Sequence, residues 1–323
     1  MIRKSNTNLI KLVEILNDGE EHDGTSLGHH LGMTRSAVWK MIKKLQNYGV
    51  VIDSSQGSGY RMPEPIVLLD AIKIKKMLHH KKAALDIFEC IASTNDYLQS
   101  IKQAKEIQFC FAEQQTAGKG RLGRDWYSPF GRNLYFSCLY PMQKDVSELA
   151  GLSLVVSLSI LKTLAHFCDE QYLKVKWPND VMCDGEKISG ALMQVHAESH
   201  GHCHVVIGIG INVNMQDDKR QISQAWTSLQ KITGKVIDRN ALAATLINYL
   251  MEDLAQFTKQ GFVSFVKTWK QYDYLRARTI TLKNINQKVS GVVEGVDEYG
   301  HLQLSVKGEG VRSFAAGDTS IEK

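Results

Sequence analysis

The hexapeptide Gly118-Lys119-Gly120-Arg121-Leu122-Gly123 matches the G-x-G-x-x-G of dinucleotide-binding folds, and a strand-like run over residues 108–114 precedes it. The residues after it deny that reading. The fingerprint needs a helix to begin inside the loop, so that its N-terminus meets a pyrophosphate. Here the chain continues Arg124-Asp125-Trp126-Tyr127-Ser128-Pro129-Phe130-Gly131, whose proline and glycine leave no helix of useful length. The stretch is therefore a flexible loop carrying Lys119, Arg121 and Arg124, bounded by an aromatic clasp. Its glycines let backbone N–H groups approach a ligand, and its cations suit phosphate or carboxylate.

Outward from this loop, two apolar periods alternate. Helical spacing occurs over residues 69–78, 95–104, 146–167, 239–259 and 262–272, and strand-like runs lie at 85–91, 108–114, 133–140, 173–177, 189–197 and 204–213. This predicts a mixed α/β core with hairpin-connected strands inside an α+β multidomain chain. The longest apolar run, residues 149–161, is interrupted by Ser153, Ser157 and Ser159 and closed by Lys162. It falls short of the roughly 20 residues that span a bilayer, so we expect a buried core helix and no membrane partner. From about residue 277 short alternating runs at 279–282, 289–296, 302–306 and 311–315 predict a small β-barrel of about fifty residues.

Toward the N-terminus, residues 8–16 place Leu9, Leu12, Val13 and Leu16 at helical spacing, and a second short helix is expected from Thr25 or Ser26 to residue 31. Gly32-Met33 breaks it. Thr34 can cap a third helix with Val38, Met41, Ile42 and Leu45 on its apolar face, and Gly49 sits where a C-terminal cap belongs. Two short helices around a glycine-bearing turn make a helix-turn-helix. Val50-Val51-Ile52, a glycine-rich turn and Tyr60-Arg61-Met62 read as strand, turn and strand, which is a wing. Pro63-Glu64-Pro65 is a stiff boundary. The expected division is residues 1–65, 66–274 and 275–323.

The net charge of +5 permits an anionic partner without requiring one; its distribution says more. Over residues 1–34, Arg3, Lys4 and Lys11 are outweighed by Glu14, Asp18, Glu20, Glu21 and Asp23, whereas residues 35–62 hold Arg35, Lys40, Lys43, Lys44 and Arg61 against Asp53. A recognition helix needs this, with polar residues at its N-terminal turn for base edges and flanking cations for phosphates. Thr34, Arg35, Ser36, Trp39 and Lys40, with Arg61 in the wing, are the candidate contacts to operator DNA. A solvated face used for protein contacts is the plain alternative; the wing and the charge asymmetry favour DNA.

Cys90, Cys110, Cys138, Cys168, Cys183 and Cys203 form no C-x-x-C pair and read as reduced thiols in a cytoplasmic protein. The first residues lead into an amphipathic segment rather than a signal-peptide core. His196, His200, His202 and His204 with Cys203 span a polar hairpin whose side chains alternate faces, so they are read as surface residues rather than metal ligands. His79-His80-Lys81-Lys82 reads as a solvated helix end. No G-x-S-x-G elbow is present, and covalent catalysis is not expected.

Lys176-Trp177-Pro178-Asn179-Asp180 follows a strand, and Lys187 comes soon after in Gly185-Glu186-Lys187-Ile188-Ser189-Gly190. Alone, such a lysine and carboxylate read as a structural ion pair. With Ser93-Thr94-Asn95, residues 115–126 (Q-T-A-G-K-G-R-L-G-R-D-W), residues 128–135 and Gly208-Ile209-Gly210-Ile211-Asn212, the set becomes specific. Across essentially its whole length the chain resembles the bifunctional biotin–protein ligase and biotin operon repressor family. That resemblance implies a winged helix-turn-helix, a central mixed α/β domain of the biotin/lipoate ligase type and a small SH3-like β-barrel. It implies activation of biotin with ATP to biotinyl-5′-AMP and transfer to a lysine of the biotin carboxyl carrier protein subunit of acetyl-CoA carboxylase.

By the same resemblance Ser93, Thr94, Asn95 and Gln115 would hold the biotin head, and Lys119, Gly120 and Arg121 would order over the ligand. Lys187 would stand between the biotin carboxylate and the α-phosphate, with Asp180 orienting it or helping to hold Mg²⁺. Trp126 would shut the loop, and Asn212 and Trp226 would meet adenine. The adenylate would also be corepressor, building a homodimer by joining sheet edges. Two departures stand out: Lys119 replaces an arginine often found there, losing the planar fork, and an arginine expected near the C-terminus is missing. Two rival classes remain. A ligand-sensing repressor without ligase activity has no need of Lys187 with the glycine loop, and a lipoate or octanoate ligase-type acyltransferase has no reason for the wing.

Overall fold

The computed structural model describes residues 3–4, 7–55, 59–79, 84–101, 106–142, 144–197, 203–217, 222–283 and 288–321. A short strand β1 (Arg3–Lys4) precedes α1 (Thr7–Leu16), α2 (Gly24–Leu31), α3 (Arg35–Asn47) and the hairpin β2 (Asp53–Ser55) and β3 (Gly59–Arg61). Leu9, Leu12 and Leu16 of α1 bury against Leu27, Val38, Ile42 and Leu45. Helix α2 begins at Gly24, ahead of the expected Thr25 or Ser26, because Asp23 accepts the Thr25 and Ser26 N–H groups. Thr34 caps α3 through the Ala37 N–H.

The wing is displaced from its expected position. Val50 and Ile52 are each 6% exposed and plug the helical core, so the ladder starts at Asp53, opposite Arg61. Paired Tyr60–His22 backbone hydrogen bonds tie the wing to the α1–α2 connection. The turn residues 56–58 lie outside the described residues.

The central body contains α4 (Ala71–Met77), β4 (Ala84–Cys90), α5 (Thr94–Gln99), β5 (Gln108–Ala112), β6 (Leu134–Met142), α6 (Leu152–Leu164), β7 (Leu173–Lys176), β8 (Asp180–Cys183), β9 (Glu186–Ala197) and β10 (Cys203–Ile211), followed by α7 (Leu229–Thr233), α8 (Arg239–Gln260) and α9 (Val266–Tyr272). One mixed sheet runs β1-β4-β5-β6-β10-β9-β8-β7. Its β4–β5 pair is parallel and its other pairs are antiparallel. Helix α6 is buried on nearly every side, which is why its apolar residues run without a polar stripe. It packs against the sheet with α8, as Leu158, Leu161, Leu246 and Leu250 enter the same core. On the other face, Leu98 of α5 packs with Phe88, Cys110 and Val206.

Strands β11 (Thr279–Lys283), β12 (Lys288–Val296), β13 (Leu302–Val306), β14 (Gly310–Phe314) and β15 (Asp318–Ile321) form an antiparallel sheet in the order β14-β13-β12-β11-β15. It docks on the central body through the Trp177 indole, which donates to Gly300 O at 3.1 Å, and through Thr319 Oγ1, which donates to Trp177 O at 3.3 Å. Sequence periodicity misses β8 and β15 because Asp180-Val181-Met182-Cys183 and Asp318-Thr319-Ser320-Ile321 lack the apolar–polar alternation that the equally short β7, Leu173-Lys174-Val175-Lys176, carries.

Candidate active site and nucleic-acid face

At one end of a cleft of about 480 Å³ lies the N-terminus of α5. Thr94 donates to Gln115 Oε1 from its backbone N–H at 2.9 Å and from its hydroxyl at 3.0 Å. Gln115 in turn donates to Ser128 Oγ at 3.3 Å. Asn95 donates to Gln194 Oε1 at 2.8 Å. Ser137 Oγ stands 2.7 Å from Thr94 Oγ1 and 2.6 Å from Asn95 Oδ1, and its single proton serves one of them at a time. Sequence reasoning missed Ser137; the available signal was a lone serine near the middle of the apolar run Leu134–Met142. A Cβ on Gly208 would fall 2.2 Å from Asn95 Oδ1, so the glycine makes space for that amide. Phe136, Leu192 and Ile209 also line the cleft, giving hydroxyls and amides among apolar walls.

In the middle of the cleft Lys187 Nζ lies 2.8 Å from Asp180 Oδ1, an ion pair between β9 and β8 with both side chains largely covered. Gly190 makes room for the pair, since a Cβ there would lie 3.1 Å from Asp180 Oδ1 and 3.2 Å from Lys187 Nζ. The Lys187 ammonium also sits 5.6 Å from the Trp126 ring centre. Toward the far end, the Lys187 backbone pairs with residues 225 and 227, bringing Trp226 alongside. Asn212 spends its amide on Thr227 O at 3.0 Å, and Lys231 Nζ lies 4.3 Å from the centre of the Trp226 ring.

The glycine loop folds as a hairpin around a single helical turn, Arg121–Gly123, closed by Gly120 N–H to Arg124 O at 2.6 Å and Trp126 N–H to Gly118 O at 2.8 Å. Lys119 pairs with Asp96 at 2.8 Å on the cleft rim. The Arg121 guanidinium donates to Asn179 Oδ1 at 3.3 Å and Gly317 O at 3.1 Å, and Arg124 pairs with Asp318. Burial pushes the Arg121 pKa down, partly offset by Asp318 and Asp180. Lys176 is likewise pushed down by burial, against the pull of Asp180. Every residue that the family resemblance assigned to biotin or the adenylate lines this one cleft, which also takes in Arg124, Asn179 and Asp318. Asp318 went unnoticed because nothing near it in sequence marks a site.

The α3 cap Thr34 and, on the helix, Arg35, Ser36, Trp39 and Lys40 are exposed, with Trp39 at 50%. Arg61 donates through Nε to Gly19 O at 2.7 Å. One expectation is corrected. Lys44, expected among the outward basic charge, turns inward and pairs with Glu89 of β4.

Among the described residues no three or more His, Cys, Asp or Glu side chains gather as a metal site. His196 and His204 face each other across β9 and β10; His200 and His202 lie outside the described residues, as do His80, Lys81 and Lys82.

Residues 87–212 match the Biotin/lipoate A/B protein ligase family and residues 8–61 match an HTH domain, so fold and cleft define a protein ligase of that class joined to a helix-turn-helix. The chain is 36% identical over 320 residues to the Bifunctional ligase/repressor BirA of Escherichia coli, covering 98% of both chains. To the protein of the same name from Bacillus spizizenii it is 26% identical over 304 residues, covering 92% of this chain and 93% of the other. The chain belongs to the bifunctional ligase/repressor family. A biotin protein ligase from Aquifex aeolicus, solved with biotin and ATP, superposes with a TM-score of 0.63 at 29% identity, over 74% of this chain and 99% of that one.

Proposed function

We propose that this chain joins biotin to ATP, giving biotinyl-5′-AMP and pyrophosphate, and then passes biotin to a lysine of the biotin carboxyl carrier protein of acetyl-CoA carboxylase. The observation that carries this reading is the Lys187–Asp180 ion pair, set in one cleft between the Thr94–Gln115 network and the Asn212–Trp226 end. A biotin carboxylate and an α-phosphate repel each other, and an ammonium between them offsets that charge. The carboxylate oxygen attacks the α-phosphorus while the bond to the β-phosphate breaks and pyrophosphate leaves. In the second step the carrier's neutral lysine amine attacks the acyl carbon, and AMP departs.

Ser93, Thr94, Asn95 and Gln115 orient the biotin head, and Asp180 holds Lys187 in place. Lys119, Gly120 and Arg121 cover the ligand, with Arg121 facing phosphate. Trp126 keeps water from the anhydride, and Asn212 and Trp226 bound the adenine. The protein residues do not form a Mg²⁺ cage: Asp180 Oδ1 is directed at Lys187, and no cluster of ligating side chains accompanies it among the described residues. Mg²⁺ belongs instead to the triphosphate substrate and enters with it.

Residues 1–65 form the operator-binding unit, with Thr34, Arg35, Ser36, Trp39 and Lys40 toward the major groove and Arg61 beside them in the wing. Residues 66–274 form the ligase and residues 275–323 an SH3-like barrel. Biotinyl-5′-AMP acts as corepressor of the biotin operon by favouring a homodimer, whose two units engage two half-sites. Support for the edge-to-edge dimer comes from β9: β8 pairs with it only as far as Gly190, and among the described residues no strand covers the outer edge of positions 192–197. The carrier protein competes for that edge by strand addition. The free cysteines fit a cytoplasmic setting. Pyrophosphate release with biotin and ATP, compared with lipoate and ATP, tests the reading; release with lipoate alone would replace it by an acyltransferase of the other kind, and none with either by a ligand-sensing repressor.

A further inference from the structure

Glu89 is a carboxylate 2% exposed, standing on β4 among apolar neighbours. Its partner is Lys44, on the α3 that we assign to DNA, and Tyr48 just past that helix donates its hydroxyl to Glu89 Oε2 at 3.5 Å. The Tyr48 ring also stacks on Phe130, with centres 4.5 Å apart and planes 11° from parallel. Phe130 belongs to the segment that closes the glycine loop. Both anchors of the helix thus sit on the ligand-binding body, and neither is on the linker.

The path from these anchors to the cleft is short and continuous. Residues 88–92 are laddered to residues 113–117: Glu113 N–H donates to Phe88 O at 2.8 Å, Thr116 N–H to Ile91 O at 2.9 Å and Ala117 N–H to Ala92 O at 2.9 Å. Gly131 N–H donates to Glu113 O at 3.0 Å, which ties the Phe130 segment to the same ladder. The ladder therefore carries Glu89 and Phe130 at one side and Gln115, which holds Thr94, at the other.

We infer that Glu89 and Lys44 are positioning residues for operator binding, docking the recognition helix on the strand that leads into the ligand cleft so that the ligase body sets its orientation. The inference rests on the DNA-binding reading of residues 1–65. A buried pair suits this task because its directional geometry penalises misplacement, whereas an apolar contact would tolerate sliding. Lys44 is thereby withdrawn from the basic face, leaving phosphate contacts to Arg35, Lys40 and Lys43, which are exposed.

The sign of one substitution separates this from simple electrostatics. If Lys44 served DNA directly, Glu89→Gln would release it and remove a nearby negative charge, so binding would tighten. If the pair positions α3, Glu89→Gln leaves a covered ammonium without its partner and specific binding weakens. The probe is a duplex enriched by the full-length chain from a randomised pool with biotin and ATP present. We expect Glu89→Gln to lose about tenfold in affinity for that duplex, to bind random duplex as well as wild type, and to keep pyrophosphate release; Lys44→Arg should retain specific binding. Equal or tighter specific binding by Glu89→Gln overturns the inference. Parallel loss of pyrophosphate release marks a merely structural pair and overturns it too. If wild type enriches no duplex, the DNA-binding reading itself fails and takes the inference with it.

Discussion

Gly210 stands where any side chain would strike the indole of Trp126, since a Cβ there would lie 2.3 Å from Cε2 and 2.6 Å from the indole nitrogen. Gly208, two positions along β10 on the same face, makes the equivalent space for Asn95. The two glycines of the G-I-G-I-N stretch are therefore vacated positions, each assigned to a different part of the cleft.

This division yields a paired expectation. Gly210→Ala should push Trp126 out of the cleft, overpacking of this kind costing about 1–3 kcal/mol, and should speed loss of the bound adenylate. Gly208→Ala should displace Asn95 and raise the KM for biotin while leaving that for ATP nearly unchanged. Steady-state kinetics with each substrate varied in turn, together with an adenylate chase, checks both. Identical profiles for the two variants would remove the assigned division.

Lys187→Ala should abolish pyrophosphate release, because among the described residues no other lysine is ion-paired with Asp180. Asp180→Asn keeps the lysine but loses its orienting charge, and kcat should fall by about a hundredfold with a smaller change in KM. Wild-type turnover in Lys187→Ala would refute the role given to that lysine.

Deleting residues 1–62 should eliminate operator binding and leave adenylation reduced but present, since the cleft residues all lie beyond the cut. The deletion also strips β1 from the β4 edge and uncovers Ile66, Leu68 and Phe130, which share the N-terminal core. The truncated chain should therefore aggregate more readily than the intact one. Light scattering and a gel shift read the two effects; undiminished DNA affinity would sink the assignment.

Arg239 is fully buried and pairs with Glu113, itself 2% exposed, at 2.6 Å. The same guanidinium donates from Nε to Asn133 O at 2.9 Å, and Asn133 Oδ1 accepts the Val213 N–H at 2.9 Å, next to Asn212. Glu113→Gln leaves the arginine charge uncompensated and should cost about 3–5 kcal/mol. Urea unfolding should show a lower midpoint with little change in slope, and a midpoint equal to wild type would contradict this cost.

Much of the site was legible because its chemistry is written in contiguous motifs. Residues 93–95, 115–126 and 208–212 each put several cleft-lining groups on one short segment, so reading them needed no knowledge of the packing. The helices were legible where one apolar face repeats over several turns, as in α3. What escaped depends on tertiary placement. Lys43 and Lys44 look alike in sequence, and only the position of Glu89 turns one of them inward. Asp318 reaches Arg124 from almost two hundred residues away, a relation that local pattern cannot carry. Val50 and Ile52 have every mark of a strand, but the helical core beneath them claimed both side chains.

The pairing of Arg3–Lys4 with β4 gives the reader of DNA a second attachment to the enzyme. Residues 63–68 leave that unit for the ligase body, and β1, at the unit's own start, is knitted into the same body. It is thus a loop thrown outward from a single chassis, pinned at both feet, rather than a bead on a string. Turning it would require shearing a ladder as well as bending a linker, so in solution it should tumble at the enzyme's own rate.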